Sequence, residues 1–386
     1  MNNTIKLAVA SALIAAASSA SAAGGIVAGD WTLDIGGVVN AYYTSTSFSG
    51  NNKATAGEFS NGKAVSNITT GLLPNYLVVS GKTRQNDLDV GFTISINPGA
   101  STVAAGKQSS QQENRQAFLT FGDASWGSIK LGKDLGIYAS DAILNDMTLL
   151  GVGSAAGGLA GNTTTLGRIG RGFMYADWKA QVAYSTPNFN GFNATVGVTQ
   201  AWNGTGNTER GGKEPAFEGK AAYAFNADPV AGKVWVSGLS QNMEETNNTA
   251  TAWDLGANVN AAGFGLTGYY GEGKGTGKTV QFSGGVDAAG AKRDSKDWYT
   301  QATYTLPGVG TKLGVSYGES KLQGNAIDTF SSNKSDMWTV GAYHPITKHL
   351  NLVAEYSEAK DKVNNTVAAD TSVTAKTISA GAILFF

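Results

Sequence analysis

The feature that most restricts the fold of this sequence is an alternation of apolar and polar residues with a period of two, repeated along the chain. In residues 253–260 (WDLGANVN), Trp, Leu, Ala and Val share one face, and Asp, Gly and Asn share the other. Successive side chains of a β-strand point to opposite faces, so each such segment predicts a strand with one apolar and one polar side. We therefore expect an all-β protein.

The apolar faces distinguish a membrane barrel from a soluble sandwich. In residues 264–270 and 217–225, small or aliphatic residues occupy the middle of the apolar face and aromatic residues its ends. Aromatic rings settle at lipid–water interfaces, whereas Gly and Ala would fill a sandwich core poorly. The pattern predicts a 16-stranded antiparallel transmembrane β-barrel, an even strand number being the rule in bacterial barrels. The predicted strands are 30–44, 72–81, 87–97, 114–122, 126–132, 173–186, 192–201, 216–225, 233–241, 252–260, 264–272, 297–306, 312–320, 336–343, 349–358 and 374–386.

The connections between these strands alternate between short and long. Short ones such as 187–191 and 307–310 contain Pro and Gly, and the long ones are rich in Gly, Asn, Ser and Thr. Short periplasmic turns and long outer loops are typical of such barrels. The predicted long loops are 45–71, 98–113, 133–172, 202–215, 273–296, 321–335 and 359–373.

The two ends of the chain also indicate export to an outer membrane. Lys6 precedes a short apolar stretch, 7–17, and the small residues Ala20 and Ala22 follow it. This pattern predicts a signal peptide, 1–22, cleaved after Ala22 and too short to span a bilayer as a helix. The remaining residues, 23–386, are expected to form one barrel domain that ends in an alternating strand and a terminal aromatic residue, Phe386.

The composition argues against several other classes. The 28 basic and 29 acidic residues balance, which argues against a nucleic-acid partner. The absence of Cys excludes disulfides and cysteine metal clusters. His344 and His349 both lie near a predicted turn rather than in a cleft with catalytic partners. We therefore expect neither a catalytic site nor a cofactor.

Three stretches resemble the general (non-specific) porins of Gram-negative bacteria: 121–134, ending in WGSIKLGKD, 184–192 (YSTPNFNGF) and 114–118 (NRQAF). The resemblance implies a trimeric outer-membrane channel for ions and small hydrophilic solutes, with its third loop folded into the lumen. A C-terminal aromatic residue such as Phe386 also resembles the signal read by the barrel assembly machinery. The expected partners are thus two further copies of the chain, outer-membrane lipid and lipopolysaccharide, that machinery and the permeating solutes.

A porin's selectivity arises at its narrowest point, from pore width and from the charges that line it. The candidate constriction loop runs from Lys133 to about Arg168. We expect its carboxylates to face cations of the wall across the pore. Strongly anion-selective relatives carry arginines where this chain has Tyr76, Asn114 and Asp177, so we expect weak selectivity that leans towards cations. The candidate constriction residues are Asp134, Asp141, Asp146, Arg115, Lys130, Asp177 and Lys179.

Two alternatives remain open from the sequence. A substrate-specific outer-membrane channel would share every feature above and would differ only in current block by its solute. A β-rich surface adhesin would use the long loops, but it would pack its apolar faces against each other and would not need an aromatic terminus.

Overall fold

The computed structural model describes residues 25–53, 63–101, 112–155, 163–202, 214–243, 246 and 248–386. The predicted signal peptide, 1–22, lies outside the described residues. The strands in chain order are β1 (Ile26–Ala28), β2 (Trp31–Ser49), β3 (Val65–Thr69), β4 (Tyr76–Gln85), β5 (Leu88–Pro98), β6 (Gln112–Glu113), β7 (Ala117–Asp123), β8 (Gly127–Leu135), β9 (Trp178–Ser185), β10 (Phe192–Thr199), β11 (Ala216–Ala227), β12 (Val230–Met243), β13 (Asn248–Ala261), β14 (Phe264–Lys274), β15 (Asp294–Thr305), β16 (Lys312–Gln323), β17 (Phe330–Pro345), β18 (Leu350–Asn365) and β19 (Thr371–Phe385).

Sixteen of these strands form a closed antiparallel barrel. Apart from the short β1, β3 and β6, which pair with β2 or β5, each strand pairs with the next along the chain, and β19 closes the sheet by pairing with β2. Closure leaves no unpaired sheet edge, which is the condition for a sheet to cross a bilayer. The predicted 16-stranded barrel is confirmed.

Alternation along each strand separates an apolar outer face from a polar inner face. On β13, Leu255 is 49% exposed on the outside, whereas the neighbouring Asp254 is fully buried on the inside, where its carboxylate accepts a hydrogen bond from Ser237. Outer aromatic residues lie near strand ends, for example Phe264 beside Tyr304, whose ring centroids are 4.3 Å apart. This is the pattern of a barrel with lipid outside.

The turns at one end of the barrel are tight, and the connections at the other end are long. Between β4 and β5 only Asn86 and Asp87 intervene, both with positive φ, as a two-residue type I′ hairpin requires. On the opposite side, 50–75, 99–116 and 136–177 connect the strands. The predicted alternation of turn and loop is confirmed.

Several strands extend further than the sequence predicted, and one is shorter. The loops predicted at 321–335 and 359–373 reduce to 324–329 and 366–370, because β17 and β18 extend well past the apolar band. In those extensions both faces are largely polar, as in residues 331–335 (SSNKS), so hydrophobic alternation does not mark them. The strand predicted from residue 173 begins only at Trp178.

The two described helices both lie between β8 and β9. They are α1 (Ser140–Asn145) and a 3₁₀-helix (Met147–Leu150), whose first turn is capped by Asp146 through the backbone N–H of Thr148 at 3.1 Å. No helix in the described part of the chain is long and apolar enough to cross a membrane.

The two faces predict opposite responses to an introduced charge. Leu255→Arg places a cation in lipid near mid-strand and should lower the free energy of unfolding by about 2–4 kcal/mol. Asn258→Arg on the inner face of the same strand should change it much less. Urea unfolding in lipid vesicles measures both, and equal losses would show that the register is shifted by one residue.

Candidate functional site

The longest connection, 136–177, is the third loop at its end of the barrel and is bound to inner-face carboxylates of distant strands. On β11, Glu218 accepts the backbone N–H groups of Ile137 and Tyr138 at 2.8 and 2.9 Å. On β18, Glu355 accepts those of Val152 and Gly153, both at 2.8 Å. Charge-assisted bonds of this kind are stronger than neutral ones, so the loop is tied at both points.

Further groups of the barrel wall bind the middle of the third loop, around residues 145–147, and its second half, at Arg168. Gln301 of β15 accepts the N–H of Met147 at 2.9 Å and donates to the carbonyl of Asn145 at 2.7 Å. Arg168 in the loop donates to the carbonyl of Met337 on β17 at 2.9 Å and to Ser316 on β16. The described part of the loop therefore contacts the inner faces of strands from β11 to β18.

The third loop also packs as a small hydrophobic core. Ile143, Leu149, Ile169 and Phe173 are buried together with Trp235, Tyr269 and Tyr299 of the wall, among other residues. A cavity of about 70 Å³ remains between the loop and the wall near Trp178. This packing makes the loop a fixed part of the barrel.

The first predicted loop carboxylate, Asp141, pairs with two lysines of the wall. Its Oδ2 atom lies 3.3 Å from the Nζ of Lys220 on β11, and its Oδ1 accepts a bond from Lys233 on β12. The side chain of Asp141 is 3% exposed, and those of Lys220 and Lys233 are 23% and 28% exposed. The cations of this triad therefore meet water more than the carboxylate does.

The second predicted loop carboxylate, that of Asp146, is fully buried within the third loop. Its carboxylate accepts from the backbone and hydroxyl of Thr148 and lies 3.7 Å from the Nε of Arg168. Neither member of this ion pair has exposed side-chain surface. Asp146 thus stabilises the conformation of the third loop and presents no charge to solvent.

Asp134, predicted in the loop, lies in β8 instead, because the strand continues to Leu135. Its carboxylate pairs with Lys130, four residues earlier on the same face of the strand, and accepts a hydrogen bond from Gln116 at 3.1 Å. The predicted cation and the predicted carboxylate therefore pair with each other on one wall.

Of the three remaining predicted residues, Asp177 and Lys179 lie where the third loop rejoins the wall at β9, and Arg115 lies in the connection between β5 and β7. Lys179 is fully buried, 2.7 Å from Glu218. Arg115 pairs with Glu113 and lies over the ring of Trp178 at 5.7 Å. Asp177, with a positive φ of 62°, precedes β9, and its side chain accepts the N–H of Trp178 at 2.7 Å. Among the described contacts, Asp141 and Asp146 do not face Arg115, Lys130 or Lys179.

Sequence reasoning missed the groups that position the loop: Glu218, Glu355, Gln301 and the pair Lys220 and Lys233. All five lie on the polar face of a predicted strand, so alternation alone marks them as inward-facing. Among the described residues, no cluster of three or more His, Asp or Glu could hold a metal ion.

Two neighbouring connections, 275–293 and 324–329, are tied together at the outer mouth. Arg293 donates from Nε to Asp328 at 2.9 Å, and Asn325 donates to Asp287 at 2.9 Å. The hydrogen bond from Arg293 lowers the pKa of Asp328, and the bond from Asn325 lowers that of Asp287. Because both shifts are downward, this tie is complete at neutral pH and weakens as the pH falls through the lowered pKa values.

A closed antiparallel barrel with an apolar exterior and a charged interior defines a transmembrane β-barrel channel. The family model described as Gram-negative porin matches residues 8–364, and the chain belongs to that family. It is an outer-membrane channel for the passive diffusion of solutes. The family and the fold point to a channel rather than an enzyme.

Solved structures show the same fold. The anion-selective porin of Comamonas acidovorans is 18% identical, with a TM-score of 0.62, covering 92% of this chain and 100% of that one. The outer-membrane channel DcaP of Acinetobacter baumannii is 14% identical, with a TM-score of 0.63 and coverages of 93% and 99%. OmpF of Salmonella typhi, in complex with daunomycin, is 15% identical, with a TM-score of 0.57 and coverages of 92% and 99%. No curated protein sequence matches the chain.

The buried pair of Glu218 and Lys179 predicts a strongly non-additive mutant cycle. Glu218→Leu leaves the Lys179 ammonium buried with Gln281 as its one remaining hydrogen-bond partner among the described residues, and should cost about 3–5 kcal/mol of unfolding free energy. Adding Lys179→Met should recover part of that loss. Unfolding of both single variants and the double variant in detergent measures the coupling, and additive losses would contradict a direct interaction.

Proposed function

We propose that the third loop lies in the lumen and forms the constriction of the channel. Its contacts with inner-face groups of six strands, β11, β12 and β15 to β18, support this position, since a loop outside the barrel could not reach them. The single observation that carries the proposal is the pair of ties to Glu218 and Glu355. A loop held at both points narrows the pore at a fixed place.

The charges with exposed surface at this level are mainly ammonium groups. Asp141 is almost buried, whereas its partners Lys220 and Lys233 retain about a quarter of their side-chain surface. On the wall, Lys130 is 31% exposed and Asp134 11%. The pair of Lys130 and Asp134 is neutral, and the triad of Asp141, Lys220 and Lys233 has one positive charge in excess, so selectivity is weak but a passing ion meets the cations first. We therefore propose a slight preference for anions rather than the leaning towards cations expected from the sequence. The solutes that permeate the channel are small and hydrophilic.

We further propose that the barrel forms a homotrimer through the outer face of β4 to β8. These strands are short, with seven residues in β7 and nine in β8, against sixteen in β17 and in β18. Their outward residues are aliphatic, for example Leu77, Ile94 and Leu119. A short wall without outward Trp or Tyr towards the loop end suits protein contact better than a lipid–water interface.

The two ends of the chain serve export and assembly in this proposal. Residues 1–22 are removed after export. Phe386 completes the barrel seam, where its backbone N–H and carbonyl bond to Gly37 of β2 at 3.1 and 2.9 Å, and its ring is 41% exposed. An accessible terminal ring at the seam suits recognition by the barrel assembly machinery.

The two loop aspartates predict different effects on selectivity. Asp141→Asn leaves Lys220 and Lys233 uncompensated and should shift the reversal potential in a salt gradient towards anions, more at low than at high ionic strength. Asp146→Asn, the matched control, removes a charge without exposed surface and should shift it much less. An unchanged potential in the Asp141 variant would remove this triad from the constriction.

The trimer interface predicts selective protection from a membrane-dissolved reagent. Because the chain contains no Cys, single cysteines can be introduced at Leu119 on β7 and at Leu266 on β14, both exposed on the isolated barrel. An apolar maleimide should label the Leu266→Cys variant rapidly and the Leu119→Cys variant slowly until the oligomer is dissociated. Equal labelling of the two in the intact oligomer would contradict the interface.

A further inference from the structure

A second connection at the loop end of the barrel binds to the inner face of the wall. It joins β14 to β15 through residues 275–293, and we call it the sixth loop. Its Lys278 donates hydrogen bonds from Nζ to the Oδ1 of Asn333 at 2.8 Å and to the Oγ of Ser335 at 2.5 Å. Both acceptors lie on the inner face of β17, because Val340, on the opposite face of that strand, is exposed outside. The sixth loop is therefore attached to the lumen side of β17.

The same loop also reaches the opposite wall. Three residues after Lys278, Gln281 accepts a hydrogen bond from Lys179 of β9 at 2.7 Å. The Gln281 amide donates to the carbonyls of Tyr175 and Ala176 in the third loop, both at 3.1 Å. Eight pairings separate β9 from β17 through β10 to β16, which is half of the 16-strand ring. Strands half a ring apart stand on opposite walls, so the segment from Lys278 to Gln281 bridges the lumen, and we call this segment the bridge.

The bridge lies further out along the channel than the third loop. On β17, which runs from the loop end towards the short turns, Arg168 of the third loop binds the carbonyl of Met337 at 2.9 Å. The acceptors of Lys278, Ser335 and Asn333, lie two and four residues nearer the loop end of the same strand. These offsets are about 7 and 14 Å along the strand. The two loops therefore contact the wall one behind the other.

Phe282, the residue after the bridge, anchors it in a strained conformation. Its φ angle is 70°, in the left-handed region that bulky residues rarely adopt. Its side chain is fully buried in a hydrophobic cluster that includes Tyr138 of the third loop and Leu239 of β12. Its backbone N–H donates to the carbonyl of Thr276 at 2.7 Å. Such strain persists only where the surrounding structure holds the residue in place, so the bridge has a fixed position.

We propose that the sixth loop forms a second constriction of the channel, in series with the third loop and on its outer side. This inference rests on the position proposed above for the third loop. A solute that enters from outside first passes the bridge, which occupies part of the cross-section, and then the opening beside the third loop. The width at both levels limits the size of the solute. The permeating class is therefore small hydrophilic molecules that can pass two narrow sections in turn.

The test removes the bridge by a deletion that closes without stretching the chain. Gly277 and Gly285 meet at its root, since a Cβ atom on Gly285 would lie 3.0 Å from the backbone N of Gly277. Deleting residues 278–284 therefore joins neighbouring ends. The matched control deletes residues 286–292, the same number from the outer part of the same loop. Its ends are also close, because the N–H of Arg293 bonds to the carbonyl of Gly285 at 2.8 Å, and it keeps the bridge.

Single-channel conductance in planar bilayers should rise in the bridge deletion and stay at the parent value in the control. Two similar constrictions in series each supply about half of the resistance, so the loss of one should raise the conductance about twofold. The same deletion is then made in a variant whose residues 142–172 are replaced by a Gly-Ser linker, where it should raise the conductance again.

These four conductances separate the sixth loop from the third. No change on loss of the bridge in the parent, or none in the background that lacks residues 142–172, would overturn the second constriction, because the bridge would then only hold the third loop. A rise on loss of the bridge, with none on replacement of residues 142–172, would keep the bridge as a constriction and contradict the one proposed for the third loop.

A point variant tests the same claim without shortening the loop. Because the chain contains no Cys, Lys278→Cys supplies a single thiol on the bridge, and Lys292→Cys, the control, supplies one on the outer part of the sixth loop. A hydrophilic methanethiosulfonate added to open channels should lower the current of the first variant and leave that of the control unchanged, with mass spectrometry confirming both reactions. Failure of Lys278→Cys to react, an unchanged current after full reaction, or an equal loss in the control would each overturn the proposal.

Discussion

The structure depends on one constraint, that every backbone hydrogen bond of a membrane-spanning sheet must be made within the protein. Closure of β19 onto β2 meets it, since no edge is then left to lipid. Closure also divides the side chains of every strand into an outer set that meets hydrocarbon and an inner set that meets water. The alternation of Leu255 with Asp254 is the local expression of that division.

The enclosed space explains why buried charges are concentrated inside this barrel. Glu218 is buried with Lys179 and also accepts two backbone N–H groups and the hydroxyl of Thr199, so its negative charge is shared among four donors. Glu355 similarly accepts two N–H groups of the third loop and the hydroxyl of Tyr343 at 2.7 Å. Buried carboxylates are tolerated when their oxygens are fully bonded, and here that requirement fixes the loop.

Period-two alternation predicted the barrel, its strand number and the inward side of each strand, because lipid imposes that pattern at every strand. It missed the outer extensions of β17 and β18, where water lies on both faces. It also placed Asp141 and Asp146 in the correct connection but not their partners, because Lys233 and Arg168 are brought to them by long-range packing. The burial of Asp146 depends on the hydrophobic core of the third loop, and a loop sequence rich in Gly, Ser and Thr does not predict such a core.

We propose that the third loop narrows the pore from within. Single-channel conductance in planar bilayers tests it most directly, comparing the parent with a variant in which residues 142–172 are replaced by a short Gly-Ser linker. Because the 16 paired strands remain, the variant should show a larger conductance and should lose the weak ion preference. A variant that folds with the parent's conductance and reversal potential would contradict it.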